Sequence, residues 1–523
     1  MHENNYVIIQ SSTPLLSHEY DTKEDIIHDD IIEQQPYSKR FARENFSKAL
    51  KEIKQLYMIA VPMILTGLLM YGKSAISMFF MGKMGKSALA GGSLAISIAN
   101  ISGYSVLSGL ASGMEGISSQ AFGARQWRLM GQTLNRTVLI LLLASFPISL
   151  IWLKSHLFFL YWCKNPVVAA TATIYLTFSI PSLIFQSFIN PLKIYLRTQK
   201  ITKPLMISAV IALAVHVPIN YYLVYHHNLG IRAIAMAATL TDVIILVVLA
   251  AYLAFSGVCK RSWPGWSLEC FTEWKPILCQ SIPSCISVCL EWWWYELMII
   301  LSGLLYNAEE AVACMGILIQ ATSLIYQFPH SMNQAASTRV GNELGANQPN
   351  KAKTASLVAL WCGMLTGIGA MAFMVGMKDL WGRIFTADKD ILALAAATLP
   401  VVGLCELGNC PQTTTCGVLK GSARPTLAAF INLITFYGVG LPVAMLVGFK
   451  MGEGLVGLWY GLFAAQIVCL LVMIVVLITT DWKKQAERAQ ELTGSTNNAE
   501  NNNINTNEEQ ISISTNENVE VLV

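Results

Sequence analysis

Twelve apolar stretches, each long enough to cross a bilayer, follow one another through the middle of the chain. They run near residues 55–80, 87–113, 131–153, 167–191, 204–225, 233–257, 277–303, 311–336, 354–377, 391–417, 425–447 and 455–479. A crossing needs about 20 mostly apolar residues, and a helix satisfies every backbone polar group within its own segment. The pattern therefore predicts an all-α polytopic membrane protein. Charge placement agrees. Of 67 Asp, Glu, Lys and Arg residues, 17 lie in 1–54 and 11 in 481–523, leaving 39 for the 426 residues between. Such a core lacks the polar surface of a water-soluble enzyme or a nucleic-acid binder.

Alternation of the spans puts 14 basic residues in the five loops on the side of the termini and nine in the six opposite loops. An excess of Lys and Arg marks the cytosolic side, so both termini are expected there. The first 30 residues hold no apolar run of a cleavable signal. The expected organisation is a disordered cytosolic tail (1–54), a first lobe (55–258), a cytosolic linker (259–276), a second lobe (277–480) and a second disordered tail (481–523). Residues 18–33 are acidic and 494–510 are dominated by Asn and Glu, which suits solvated tails. Basic runs at 193–203 and 420–424 read first as topology signals and then as lipid-headgroup contacts. The twelve Cys form no CxxC pair and read as small apolar fillers, with no metal site and no disulfide framework.

The chain also repeats. Ala88-Leu89-Ala90 aligns with Ala311-Val312-Ala313, Gln120–Ala124 with Glu343–Ala346, Leu196-Arg197 and Lys203-Pro204 with Leu419-Lys420 and Arg424-Pro425, Pro218 with Pro442 and Gly230 with Gly454. Matches in order at offsets of 221–224 residues imply two pseudo-symmetric six-helix lobes. An even number of spans per repeat keeps both in one orientation, related by an axis along the membrane normal with a cleft between them.

An ionisable group at bilayer depth costs about 2.5 kcal/mol or more, which makes it a functional candidate. Five fall inside spans: Lys73, Asp242, Glu291, Glu296 and Glu406. Glu291 and Glu296 are five apart, about 140° around a helix, and do not both face one cavity. Tyr295, four on from Glu291, shares its face and is placed to hydrogen-bond or cover it. Pro411 follows Glu406, frees the carbonyl of Leu407 and bends the helix as a hinge; Gln412, Thr413, Thr414 and Thr415 are placed to re-satisfy freed groups. A buried carboxyl takes either a proton or a cationic partner, but not both cheaply. That competition is what an antiporter needs. A paired structural acid is the plainer alternative, and the stronger one for Asp242 and Glu296. Lys73 has the stem to snorkel outward. Trp292, Trp293 and Trp294 spread around the helix, so one ring packs against neighbours and another stands beside Glu291. His216 and His330 read as hydrogen-bonded core.

Cys289-Leu-Glu-Trp-Trp-Trp-Tyr-Glu296, Gln120-Ala-Phe-Gly-Ala124 and Arg339-Val-Gly-Asn-Glu-Leu-Gly-Ala346 resemble the signatures of multidrug and toxic compound extrusion (MATE) transporters. Cys405-Glu-Leu-Gly-Asn-Cys-Pro-Gln-Thr-Thr-Thr-Cys-Gly417 is similar to the tenth-span pattern of the plant DETOXIFICATION branch. The resemblance covers about residues 50–480. It implies a V-shaped pair of six-helix lobes that export organic solutes against H⁺ or Na⁺. It also implies coupling acids at Glu291 and Glu406, with Glu296 as the second motif acid. Prokaryotic members often carry an Asp late in the first helix, where this chain has Ser77. That departure favours the eukaryotic, H⁺-driven scheme, with Asp242 as an available substitute.

The leading expectation is thus a secondary active transporter, an H⁺-coupled antiporter working by alternating access and needing no cofactor. Its cargo is a small organic molecule, a cation being one candidate, and its other partner is the lipid bilayer of a plasma, vacuolar or other endomembrane. A monomer is expected. A major-facilitator protein would carry a long central loop that is absent here. A membrane-embedded ligand or ion sensor, or a channel-like protein on the same fold, would bind without turnover. No phosphate loop, nucleophile elbow or HExxH motif supports an enzyme.

Overall fold

The computed structural model describes residues 37–162, 165–260, 262–263, 265 and 268–494. The acidic stretch 18–33 and nearly all of the Asn-rich stretch 494–510 lie outside them. Twelve long helices cover the expected spans: α1 (Tyr37–Lys83), α2 (Lys86–Gly123), α3 (Trp127–Leu153), α4 (Pro166–Thr198), α5 (Lys203–His226), α6 (Ile231–Ser256), α7 (Lys275–Ser302), α8 (Ala308–Gly345), α9 (Pro349–Gly376), α10 (Lys389–Gly421), α11 (Pro425–Lys450) and α12 (Gly454–Thr479). Each contains a window apolar enough to cross a membrane. Wide π-type turns interrupt α2 at Asn100–Tyr104 and α11 at Leu433–Gly440. Two compact units divide the chain between Glu52 and Ile53.

Helix order extends further than the tails' composition suggests. α1 begins at Tyr37, within the segment 1–54 expected to be disordered, because Lys48–Leu56 is built from strong helix formers. At the other end, α13 (Trp482–Thr493) falls in the tail expected to be disordered from 481. Asp481 caps it by accepting from the backbone N–H groups of Lys483 and Lys484 at 3.0 and 3.2 Å. Trp482, Ala486, Ala489 and Thr493, spaced at helical intervals, form its buried face. Gln490 Nε2 donates to the Gly345 carbonyl at 2.8 Å, which fixes α13 under the end of α8. Averaging over the whole tail hides this short amphipathic segment.

Buried side chains form two main cores. One unites α1 to α6 through residues such as Met81, Leu107, Leu134, Leu176, Ala212 and Leu249. The other unites α7 to α12 through Trp294, Leu318, Met374, Leu399, Phe436 and Trp459. The linker before α7 is tied to α3: Glu269 accepts from Arg128 and Gln132, and Trp263 Nε1 donates to Asn135 Oδ1 at 3.0 Å.

The halves meet where α2 lies against α7 and α8. Small residues permit this. A Cβ on Gly109 would stand 2.6 Å from the Cys285 Cα, and one on Gly113 would overlap the Ser281 backbone. Gln120 Nε2 adds a hydrogen bond across the seam to the Gly421 carbonyl at 2.9 Å. Gly316, by contrast, has nothing near its missing side chain. Gly109→Val should therefore lower the thermal unfolding midpoint in detergent, by about 1–3 kcal/mol of stability. Gly316→Val should leave it nearly unchanged; equal effects would remove the close-packing account of the seam.

Candidate functional site

On the side of the termini, four helices run past the spans read from hydropathy: α2 to Gly123, α4 to Thr198, α8 to Gly345 and α10 to Gly421. Their last turns bring residues read as loop or topology signals into the interior. Arg197 is buried and pairs with Glu115 at 2.9 Å, and Arg339 pairs with Glu343 one turn on at 2.7 Å. At these positions the reading as lipid-headgroup contacts does not hold, because the helices continue and bury them. Glu115 was missed as an intramembrane acid for the same reason. Its setting of small residues, Gly113 to Ser119, is the signal that a close helix seam, not a loop, lies there.

A cavity of about 190 Å³ opens between the halves. Ser108, Ser112 and Glu115 of α2 and Lys193 and Arg197 of α4 line it from one side. Glu291 and Trp292 of α7, Tyr326 and His330 of α8 and Lys420 of α10 line it from the other. Glu291 accepts from the Tyr326 hydroxyl at 3.1 Å. Tyr295, expected to hydrogen-bond to Glu291 or cover it, makes no hydrogen bond to it among the described residues and packs beside the second core, within electrostatic reach of Glu291 and Glu406. A neighbouring helix reached the acid first, which spacing along α7 alone does not show. Glu296 turns to Ser97 of α2, in line with the 140° separation from Glu291.

Glu406 lies outside the cavity lining. Its side chain is 1% exposed and accepts from Asn409 Nδ2 at 2.9 Å and from the Cys410 thiol at 3.5 Å. Asn409 Oδ1 in turn accepts from Thr413 and, across to α12, from Gln466 Nε2 at 3.3 Å. Among the described residues no cation pairs with Glu406. Pro411 sits within the continuous α10. The threonines beyond it bond back four residues, Thr414 to the Cys410 carbonyl and Thr415 to the Pro411 carbonyl, so none reaches the carbonyl freed at Leu407. Gln412 is buried with its Nε2 toward the Cys416 sulfur at 3.6 Å. Trp294 is the packed ring of its triplet, edge-on to Tyr437, while Trp292 lines the cavity near Glu291.

The first half carries its own polar cluster. Lys73 does not snorkel: its Nζ lies 2.8 Å from Asp242 Oδ1, because a buried counter-charge is nearer than the membrane surface. Ser182 donates to the second Asp242 oxygen at 2.6 Å, and Tyr104 donates to Ser182 at 3.3 Å. Beside them, Thr241 gives its proton to the Ala237 carbonyl, so His216 Nδ1–H donates to Thr241 Oγ1 at 2.8 Å. His216 Nε2 then accepts from Ser77 and Asn220, both at 3.0 Å. Each of these residues has at least one partner, while Asn220 Oδ1 is buried without one among the described residues.

A MatE family model matches residues 62–222 and again 283–446. The two matched segments are displaced by 221 residues at their starts and 224 at their ends, the offsets at which the chain repeats. The chain belongs to the MATE transporter family. It is 52% identical to Protein DETOXIFICATION 49 of Arabidopsis thaliana over 86% of this chain and 89% of that protein. It is 50% identical to DETOXIFICATION 48 of the same plant, over 86% and 85%. Its fold matches the crystal structure of the eukaryotic MATE transporter AtDTX14, with a TM-score of 0.82 at 31% identity, covering 85% of this chain and 100% of that one. An outward-facing multidrug resistance MATE transporter shares the fold at 16% identity, with a TM-score of 0.74 over 84% and 96%. The protein is thus a multi-pass membrane transporter built like its relatives, which are transporters and not enzymes.

In this transporter the Lys73–Asp242 pair is tested by removing charges singly and together. Asp242→Leu strands a buried ammonium and should cost about 3 kcal/mol of stability, whereas the Lys73→Met/Asp242→Leu double variant should recover most of that loss. Additive losses in thermal denaturation would show that the two side chains do not depend on each other.

Proposed function

We propose that the protein exports organic solutes in exchange for protons by alternating access of its two six-helix halves. The observation that carries this reading is Glu406, a carboxyl buried in a span with neutral donors and, among the described residues, no cation paired with it. Moving an isolated carboxylate out of water is costly, and a proton removes that cost. The groups aimed at Glu406, an amide N–H and a thiol, are donors. They suit a carboxyl that gains and loses H⁺ better than a cradle for Na⁺, which requires oxygen ligands.

Proton arrival from the side away from the termini neutralises Glu406 and relaxes the donor network joining α10 to α12. Pro411, five residues on, is the point where α10 bends in response. The halves then tip about the α2–α7–α8 seam and expose the cavity to the side of the termini, taken as cytosolic. There the proton leaves and cargo enters beside Glu291. Two separate cores let each half move as a body, and one polypeptide supplies both halves, so a monomer suffices. The plasma membrane and the vacuolar or other endomembranes all provide the required proton gradient.

In proteoliposomes with an imposed pH gradient, cargo uptake should fall in the Glu406→Gln variant to that of protein-free vesicles. The thermal midpoint should stay close to that of the parent. Gradient-driven uptake that survives the substitution would reject Glu406 as the coupling acid, and binding without any accumulation in the parent protein would mean a sensor.

A further inference from the structure

The inter-lobe cavity holds more positive charge than its acids balance. Glu115 and Arg197 neutralise each other at 2.9 Å. Lys193 and Lys420 line the same space, and among the described residues neither has a hydrogen bond or an ion pair. Against these two ammonium groups stands one further carboxyl in the lining, Glu291, already held by Tyr326. His330, stacked on Tyr326 with ring centroids 5.3 Å apart, and Cys416 add no fixed negative charge. A lysine within a membrane-embedded helix bundle ordinarily finds a carboxylate or carbonyl. Lys73 in this chain does so by direct contact; Lys193 and Lys420 do not, although Asp242 lies within electrostatic reach of Lys193, and Glu115 and Glu291 within that of Lys420.

We propose that this cavity receives an organic anion, with a carboxylate-type head between Lys193 and Lys420. The inference rests on the reading of the cavity as the cargo site. Two further acceptors in the lining, the Asn333 and Gln334 amide oxygens, are buried and unbonded among the described residues, so the cargo also offers a hydroxyl or amide donor beside its charge. The volume of about 190 Å³ is below the roughly 300 Å³ at which drug-sized pockets begin. It takes the charged head and a first ring, with the Trp292 indole against the body. An organic cation would meet two like charges for the one opposite charge of Glu291.

The same charge count divides the work between the two acids. A proton on Glu291 removes the negative charge facing the lysines, so proton and anion favour each other there. Exchange against protons then falls to Glu406, outside the cavity, and Glu291 positions cargo.

The test uses the full chain in phosphatidylcholine nanodiscs and two probes of one body and opposite charge, 3-hydroxy-2-naphthoate and a hydroxynaphthyl trimethylammonium. The naphthoate should bind at least about tenfold tighter, the value of one charge-assisted contact. Lys193→Gln and Lys420→Gln should each weaken it by about that factor, with Lys420→Arg keeping affinity and Lys378→Gln, at an exposed lysine after α9, leaving it unchanged. Preference for the cation, binding of neither probe, or naphthoate affinity within twofold of the parent in both Lys→Gln variants would overturn the proposal. So would competition by added phosphatidylglycerol, which would assign the lysines to a lipid headgroup. Because this readout is binding without a gradient, it stands or falls separately from the effect of Glu406→Gln on flux.

Discussion

Hydrocarbon offers no hydrogen bonds, and every polar group placed in it must find a partner in the protein or in an enclosed cavity. That constraint organises this molecule. The backbone meets it by forming helices throughout the spans. Side-chain charges meet it in three ways. Lys73 with Asp242 and Glu115 with Arg197 close on each other as ion pairs. Glu291, Lys193 and Lys420 face the space between the halves. Among the described residues Glu406 and Glu296 have neither a counter-ion nor a place in the cavity lining; Glu406 is held by an amide and a thiol, Glu296 by Ser97.

The three solutions have different consequences. A closed ion pair ties helices together and resists change, because breaking it leaves a charge stranded. Charges around a cavity select what enters it, since the cargo completes their pairing. A lone carboxyl among neutral donors is the group whose environment changes most when a proton comes or goes. In the proposed reading, structure belongs to the first half, recognition to the space between the halves and coupling to the second half. The glycine-lined seam of α2 against α7 joins the helix bearing Glu115 to the helix bearing Glu291.

All twelve spans were legible in the sequence because hydropathy is a strong, local signal, and the repeat because its matches fall in order. Helix ends were not. Roughly the final two turns of α2, α4, α8 and α10 carry Glu115, Arg197, Arg339 and Lys420, and charge in a hydropathy window reads as loop even where the helix continues. The intramembrane acids stood out by their rarity, but their partners came from other helices. Tyr326 took the place given to Tyr295, and Asp242 captured a lysine expected to reach for the surface. Spacing along one helix says which residues share a face; it does not say which neighbour that face meets. α13 escaped notice because a single buried stripe of Trp482, Ala486, Ala489 and Thr493 is diluted in a polar tail.

The account turns on Glu406 changing its protonation state during the working cycle. Infrared difference spectroscopy of the lipid-embedded protein reads this directly, through the carbonyl stretch that a protonated carboxyl has and a carboxylate lacks. A carboxyl band that fades as pH rises through the range in which exchange runs, and that is missing from the Glu406→Gln protein, is the predicted result. A spectrum in which the Glu406 signal stays constant across that range, while exchange switches on and off, would contradict it.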